Sequence, residues 1–501
     1  MKNNSIKYLL LLCGILVLGG SCKKYIYQTP ITSTYGEKFW TSKTSVEQAS
    51  NSMYIQLRSS FRASRSFFIN GDLVSGFYVP ASNQWNYATL KASNNPAYNF
   101  SYVPYLPELQ DWSRFYRIIA QANIILKNVP AMPAGTFPSE QVRNGYMAEA
   151  LFMRAFVYFY MIRVWGDPVY VTKVYDDVDY GKIPPVARTA EGAVIDSCLA
   201  DLKTASGYLS FSNDRSKVTR AGKGAILALM AHMYAWKHDY NNAHLACQEI
   251  IDKGGYELEP IESYKNIWKG EASNENIWEL SMKATQNSTS ETDYDFFATF
   301  LKGSLVDGRS NNCWVSPNNG FVDQFYDGSD LRLSRVFTKV NAGNGDPAGY
   351  LLTKYGNFQY AAPDTKSDPY LDNNLVLFRL SDIYLLNAEA LAFQNDLSGA
   401  KANLAKTEDR AGIASYEALS SQYDIVDEVV MERARELTGE GTWFYDLIRT
   451  NKTQGWLEYV GYPAGERLDD NNKGYYWPLN MGTLFPQDNL LTQNPWWAKN
   501  R

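Results

Sequence analysis

Met147-Ala148-Glu149-Ala150-Leu151-Phe152-Met153-Arg154-Ala155-Phe156-Val157-Tyr158-Phe159-Tyr160-Met161-Ile162-Arg163-Val164-Trp165, running straight into Gly166-Asp167-Pro168, is the stretch that decides the fold. Met147, Ala150, Leu151, Arg154, Tyr158, Met161, Ile162 and Trp165 recur at spacings of three and four, so they line one face of an α-helix. Gly166 and Pro168 must end that helix, because one favours a left-handed turn and the other cannot continue the hydrogen-bond ladder. The same period predicts helices at about 44–62, 109–128, 192–206, 218–236, 240–252, 376–394, 396–408 and 425–449. Strand signals are sparse, and the expected fold class is all-α.

Two of these stretches repeat one another as helix pairs. Ala231, Tyr234 and Ala243 recur as Ala388, Leu391 and Ala400, with the same offsets of three and twelve. Small, large, small is the pattern of a tetratricopeptide-like pair: the small residues sit where the axes come closest, and the large one fills the next groove. A third copy starts at Ala155 and Tyr158 and is cut off by Gly166-Asp167-Pro168. Between the helices lie long irregular insertions, 66–105, 266–320 and 340–372, rich in Asn, Ser, Gly, Asp and aromatics. Loops of that length in a compact protein are usually functional or disordered, and so many large rings argue against disorder.

The N-terminus bears on compartment. Lys2 and Lys7 precede the apolar run Leu9 to Leu18, too short to span a bilayer comfortably and shaped as a secretory leader. It ends in Gly19-Gly20-Ser21-Cys22, small residues before a cysteine able to take a lipid thioether. Residues 1–21 are therefore expected to be a lipoprotein signal peptide and Cys22 the lipidated first residue of the mature chain. The alternative is an ordinary cleavage near Ser21, with Cys22 a bystander. A formal net charge of −5, made more acidic once the leader's two lysines are removed, disfavours a nucleic-acid partner. Residues 22–501 are long enough for two domains, but no Pro/Ser-rich linker marks a cut, so one body is expected. Cys198, Cys247 and Cys313 are an odd, scattered set, which argues against a disulfide scaffold or a cysteine metal site.

Catalytic signatures are nearly absent. The three histidines, His232, His238 and His244, lie in one helix pair without metal-ligand spacing, and there is neither a nucleophile elbow nor a phosphate loop. No metal or cofactor is assigned. Carboxylate chemistry of the glycosidase type would fall on Asp293-Tyr294-Asp295 or Asp327-Gly328-Ser329-Asp330, which read more simply as solvated loop acids and turn formers. The insertions instead offer rings among amides and hydroxyls: Phe77, Tyr78, Trp85, Asn86 and Tyr87 in one, Tyr294, Phe296, Phe297, Asn311, Asn312 and Trp314 in another. A pyranose packs its C–H face on such a ring while amides satisfy its hydroxyls. The competing reading of each ring is that it packs its loop onto the helical body.

Four blocks carry a family resemblance. They are Ala148 to Phe156 with Val164-Trp165-Gly166-Asp167-Pro168-Val169; Leu377-Phe378-Arg379-Leu380-Ser381-Asp382-Ile383-Tyr384 through Ala390; Glu432-Arg433-Ala434-Arg435-Glu436-Leu437 with Glu440-Gly441-Thr442-Trp443-Phe444-Tyr445-Asp446-Leu447-Ile448-Arg449; and Tyr476-Trp477-Pro478 with Leu491-Thr492-Gln493-Asn494-Pro495. In order and over nearly the whole chain, they resemble the SusD/RagB family. The charges within them, Arg154, Arg379, Glu389, Arg433, Glu436 and Asp446, sit on otherwise apolar helices and are expected to pair internally.

The resemblance implies an outer-membrane, lipid-anchored, cell-surface protein without enzymatic activity, built as tetratricopeptide-like pairs with a shallow site on its insertions. It implies capture of oligosaccharides for a SusC-like TonB-dependent transporter, with a peptide ligand of the RagB kind as the alternative and a carboxylate glycosidase as a more distant one. Carried onto this sequence, the ligand-binding candidates are Trp85, Asn86 and Trp314, then Asp72, Tyr87 and Tyr294. Surface exposure follows from the family role and not from Lys23-Lys24, where exported relatives often carry acids.

Overall fold

A computed structural model describes residues 39–80, 107–174, 184–271, 273–282, 296–301, 315–341, 348–365, 367–461, 465–469 and 471–500. Helices dominate: α1 (Lys43–Arg62), α2 (Ser66–Gly71), α3 (Ser113–Asn128), α4 (Glu140–Trp165), α5 (Glu191–Tyr208), α6 (Lys223–Trp236), α7 (Tyr240–Lys253), α8 (Asn319–Phe325), α9 (Leu333–Val336), α10 (Leu380–Phe393), α11 (Leu397–Ala411), α12 (Gln422–Glu436), α13 (Trp443–Arg449), α14 (Thr453–Tyr459) and α15 (Pro495–Lys499). Short 3-10 turns, the longest Ile261–Trp268, and four two-stranded antiparallel ladders accompany them: β1 (Tyr78–Pro80) with β3 (Val315–Pro317), β2 (Asn276–Leu280) with β8 (Leu375–Arg379), β4 (Phe337–Val340) with β5 (Gly349–Leu352), and β6 (Phe358–Ala362) with β7 (Ser367–Leu371). No helix among these residues is long and apolar enough to cross a membrane.

The central helix α4 starts where the Ser139 hydroxyl accepts from the Val142 amide at 3.3 Å and stops at Gly166, φ 72°. A side chain at Gly166 would run into the Tyr476 ring at 2.8 Å. Helix α4 packs on α5, α5 on α6, α6 on α7, α7 on α10, α10 on α11 and both of these on α12. Ala231, Tyr234, Ala243, Ala388, Leu391 and Ala400 are all buried, as close-packed pairs require. The interrupted third copy also closes: α4 finds its partner in α5 after a long connection, with Ala155 and Tyr158 fully buried.

Four helix boundaries differ from the periodic reading: the spans expected from 109 and 218 begin only at Ser113 and Lys223, and two others change more deeply. Residues 375–379 are strand β8, paired to β2 with Arg379↔Asn276 at one end and Leu375↔Leu280 at the other, and the helix begins only at Leu380. The span expected as one helix over 425–449 is two, α12 and α13. It breaks at Gly439 (φ 71°) and Gly441 (φ 72°), and at the second the chain passes so close to Gly71 that a Cβ there would lie 2.1 Å from the Gly441 carbonyl oxygen.

The charges on apolar helices pair as expected. Arg154 binds Asp201 at 2.7 Å; Arg449 bridges Glu389 and Asp446, both at 2.7 Å; Arg433 lies 2.8 Å from Asp382 and 2.9 Å from Asp446. The densest knot surrounds Glu436, which takes Arg332 at 2.9 Å, Arg379 at 2.5 Å and Arg410. Arg379 also reaches Glu275 at 2.7 Å and Glu440 at 2.9 Å, and Arg332 reaches Glu432 at 2.6 Å. These three cations hold the Glu436 carboxyl well below the usual carboxylate range despite its burial.

Candidate functional site

The loops singled out in the sequence spring from one aromatic knot. Tyr78 on β1 is buried, with its ring 5.3 Å from Phe300 and its hydroxyl 2.7 Å from that of Thr438. Phe68 stacks on Phe296 at 4.7 Å and meets Phe300 edge-on at 4.7 Å, while Phe297 stacks on Tyr355 at 4.8 Å. The Tyr355 hydroxyl donates to the Gly439 carbonyl at 2.8 Å, tying the knot to the turn between α12 and α13. Phe77, Tyr78, Phe296 and Phe297 are thus packing residues that clamp the insertions to the body.

Trp85, Asn86, Tyr87, Tyr294, Trp314 and the acids Asp293 and Asp295 lie outside the described residues, as does Cys22. Their points of attachment do not. The β1–β3 ladder pairs Tyr78 with Pro317, Val79 with Ser316 and Pro80 with Val315. Trp314 immediately precedes Val315, and Trp85 follows Pro80 by five residues, so chain connectivity starts both segments at the same end of this ladder. Tyr294 precedes the clamped Phe296 by two.

Asp72 is the one ligand candidate among the described residues, and its position corrects that expectation. It is only 1% exposed, and its carboxyl accepts from the Gly441 amide at 2.7 Å beneath the knot. No oligosaccharide reaches it there. Burial, only partly offset by that hydrogen bond and by Lys354, pushes its pKa up to about 8. A carboxyl whose pKa is higher folded than unfolded gives stability that is full below about 4 and is lost as pH rises through 8. Asp72→Asn keeps an acceptor for Gly441 without the charge. Its melting temperature should therefore overtake that of the wild type progressively between pH 5 and pH 9, by about 2–4 °C at the alkaline end. Parallel melting curves would refute the assignment.

The other polar candidates have structural employment. Asp330 pairs with Arg332 at 2.8 Å, and Asp327 caps its turn by accepting from the Ser329 amide at 2.7 Å. His232 meets Asp382 at 2.8 Å, His238 meets the Arg449 carbonyl at 2.9 Å and His244 meets the Asn387 amide oxygen at 2.8 Å, all between packed helices. Among the described residues no group of three or more His, Cys, Asp or Glu is arranged to hold a metal. Cys198 and Cys247 are buried thiols whose pKa burial raises, so neither is poised as a nucleophile.

Sequence reading missed a groove of about 740 Å³ between α8, the end of α10, α12, α13 and α14. Trp456 is its centre, 5.4 Å from Trp443, 5.5 Å from Phe321, 5.7 Å from Phe325 and 5.5 Å from Tyr459. Its indole N–H donates to the Ser75 carbonyl at 2.8 Å, which fixes the ring. Tyr423 (71% exposed), Tyr459 (54%) and Phe393 (38%) form the rim. The one local signal was Trp456 and Tyr459, three apart on a short helix and therefore on one face.

Comparisons with known proteins agree over most of the chain. Residues 336–497 match the model of the SusD family, and residues 37–235 match a model described as starch-binding and associating with the outer membrane. The chain is 26% identical to SusD-like protein P38 of Formosa agariphila, covering 99% of both chains. It is 24% identical to a SusD-like protein of Bacteroides ovatus, covering 94% of this chain and 86% of the relative. Among solved structures it is similar to a SusD homolog from Bacteroides thetaiotaomicron (TM-score 0.74, 23% identity, 92% of this chain and 99% of that one). It is also similar to a laminarin-binding SusD-like protein (TM-score 0.71, 20% identity, 91% and 99%).

Proposed function

We propose, from the premise that this chain belongs to the SusD-like family, that it is a non-catalytic, lipid-anchored protein of the outer-membrane surface that captures oligosaccharides and passes them to a SusC-like TonB-dependent transporter. The carbohydrate-binding, outer-membrane part of this reading rests on the family itself, one of whose matching models is described as starch-binding and associating with the outer membrane. The observation that carries the ligand site is the β1–β3 ladder, which starts the segments bearing Trp85, Asn86, Tyr87 and Trp314 at a common end beside the aromatic knot. Rings and amides on segments that leave a common base suit a polyhydroxylated ligand, because rings pack on the C–H faces of a sugar while amides satisfy its hydroxyls. Neutral glucans are the first class to test, since the family model names starch and a structural neighbour is named for laminarin.

Residues 1–21 act in this reading as the export leader and Cys22 as the lipid attachment, leaving residues 22–501 as one body. Two measurements test it. A glycan array with the chain from residue 23 onward should give saccharide hits, among them laminari- or malto-oligosaccharides, and peptide hits alone would transfer the reading to peptide import. Cys22→Ala should shift essentially all of the protein from the membrane to the soluble fraction on cell fractionation. A variant that stays with the membrane refutes the anchor.

A further inference from the structure

We infer that the groove centred on Trp456 is a second saccharide-binding site, separate from the loop site, for a neutral gluco-oligosaccharide; this rests on the glycan reading above. Position argues for separateness. The Asn318 amide donates to the Phe77 carbonyl at 2.8 Å, at the end of the β1–β3 ladder opposite to Pro80 and Val315. From there Phe77 stacks on Phe321, which lies against Trp456 and Tyr459. The segments that carry the loop candidates thus start at one end of a ladder roughly 10 Å long, three residues at ~3.3 Å each, and the groove is reached from the other.

Chemistry argues for the ligand. Of the eight large hydrophobic side chains exposed among the described residues, three, Tyr423, Tyr459 and Phe393, belong to this single groove. Tyr459 is backed by Trp456 and Phe321, and Phe393 is stacked on Tyr240 at 4.2 Å, so each presents a ring already held in place. Primary amides with unused capacity stand beside them. The Asn451 side chain makes no hydrogen bond among the described residues, Gln324 only accepts from the Tyr459 hydroxyl at 2.7 Å, and Gln422 only donates to the Ala392 carbonyl at 2.8 Å. The charged residues lining the groove, Asp427 and Lys452, neutralise each other, and the Lys452 ammonium lies 5.0 Å from the Tyr423 ring centre. No net charge remains to select an ionic ligand. Rings with open faces and spare amide donors and acceptors match the C–H faces and hydroxyls of a neutral sugar. A purely apolar occupant would leave those amides desolvated and unpaired.

Gly455 supplies the test. It lines the groove on α14, and a Cβ there meets nothing within 4 Å, so a side chain can start at this position and Gly455→Trp is expected to obstruct the groove. Isothermal titration with laminarihexaose and maltohexaose is made on the wild type, on Trp85→Ala/Trp314→Ala, and on that double variant carrying either Gly455→Trp or Tyr423→Ala/Tyr459→Ala. Melting curves verify that each variant is folded. With at least one hexasaccharide, the loop variant should retain binding near one equivalent, and either groove change should weaken this residual binding at least tenfold. Residual binding indifferent to both groove changes, or no residual binding in the loop variant, overturns the second site while leaving the glycan reading intact. A wild type that binds other glycans but neither hexasaccharide overturns the assigned ligand class. A wild type that binds no saccharide on the array defeats the glycan reading itself.

Discussion

Glu436→Ala is expected to lower the unfolding free energy by about 3–5 kcal/mol, the cost of removing one partner from a buried ion-paired cluster. The carboxylate is fully buried and shared by the guanidinium groups of Arg332, Arg379 and Arg410, so its loss leaves three buried cations short of one counter-charge. The remaining acids, Glu275, Glu432, Glu440 and Asp330, are already engaged with the same arginines and have no free oxygen to move in. The knot joins α12 and α11 to the β2–β8 ladder, so the damage should register in global unfolding and not as local fraying. Because the Glu436 pKa is depressed in the fold, its contribution is present above the unfolded value near 4.5 and is lost as pH falls through the lower folded value. The difference between wild type and variant in urea titrations should thus be full at pH 7 and shrink under acid conditions. A variant within about 1 kcal/mol of the wild type at pH 7 would show that the cluster contributes little to stability.

The second large effect concerns ligand. Trp85→Ala and Trp314→Ala should each weaken binding of the best array hit by about 1–3 kcal/mol, the range for losing an aromatic anchor. An indole that serves the ligand is open in the free protein, so melting temperatures should stay near the wild-type value. Both substitutions leave the clamping rings, Tyr78, Phe296 and Phe300, in place. Titration calorimetry run beside melting curves decides the matter. Normal binding by both variants, or unfolding of either, would return these rings to the protein core. Turnover of the same ligand, abolished by Asp293→Asn or Asp295→Asn, would revive the glycosidase alternative.

By itself the sequence determined the helical body. The three-and-four spacing of Met147 to Trp165, the matched triplets Ala231-Tyr234-Ala243 and Ala388-Leu391-Ala400, and charges such as Arg379 and Glu436 on apolar faces are local or repeating signals, and each emerged where expected. Periodicity names the face a helix buries, and a charge on that face must find a partner. It did not reveal that Leu375 to Arg379 form a strand, because a short apolar run reads as either element until β2 lies beside it. Nor did it show the break between α12 and α13, which follows from the close approach of Gly441 to Gly71, some 370 positions earlier in the chain. Asp72 looked like a loop acid and proved to be a buried acceptor for that same turn, since its burial depends on elements distant in sequence. The Trp456 groove lies mostly within one stretch, α12 to α14, yet it is closed by Gln324 and Phe325 of α8 and Phe393 of α10, and only the turn of α13 against α12 makes it concave. Which aromatics become core and which remain open is decided by what packs over them, and that is a property of the tertiary structure alone.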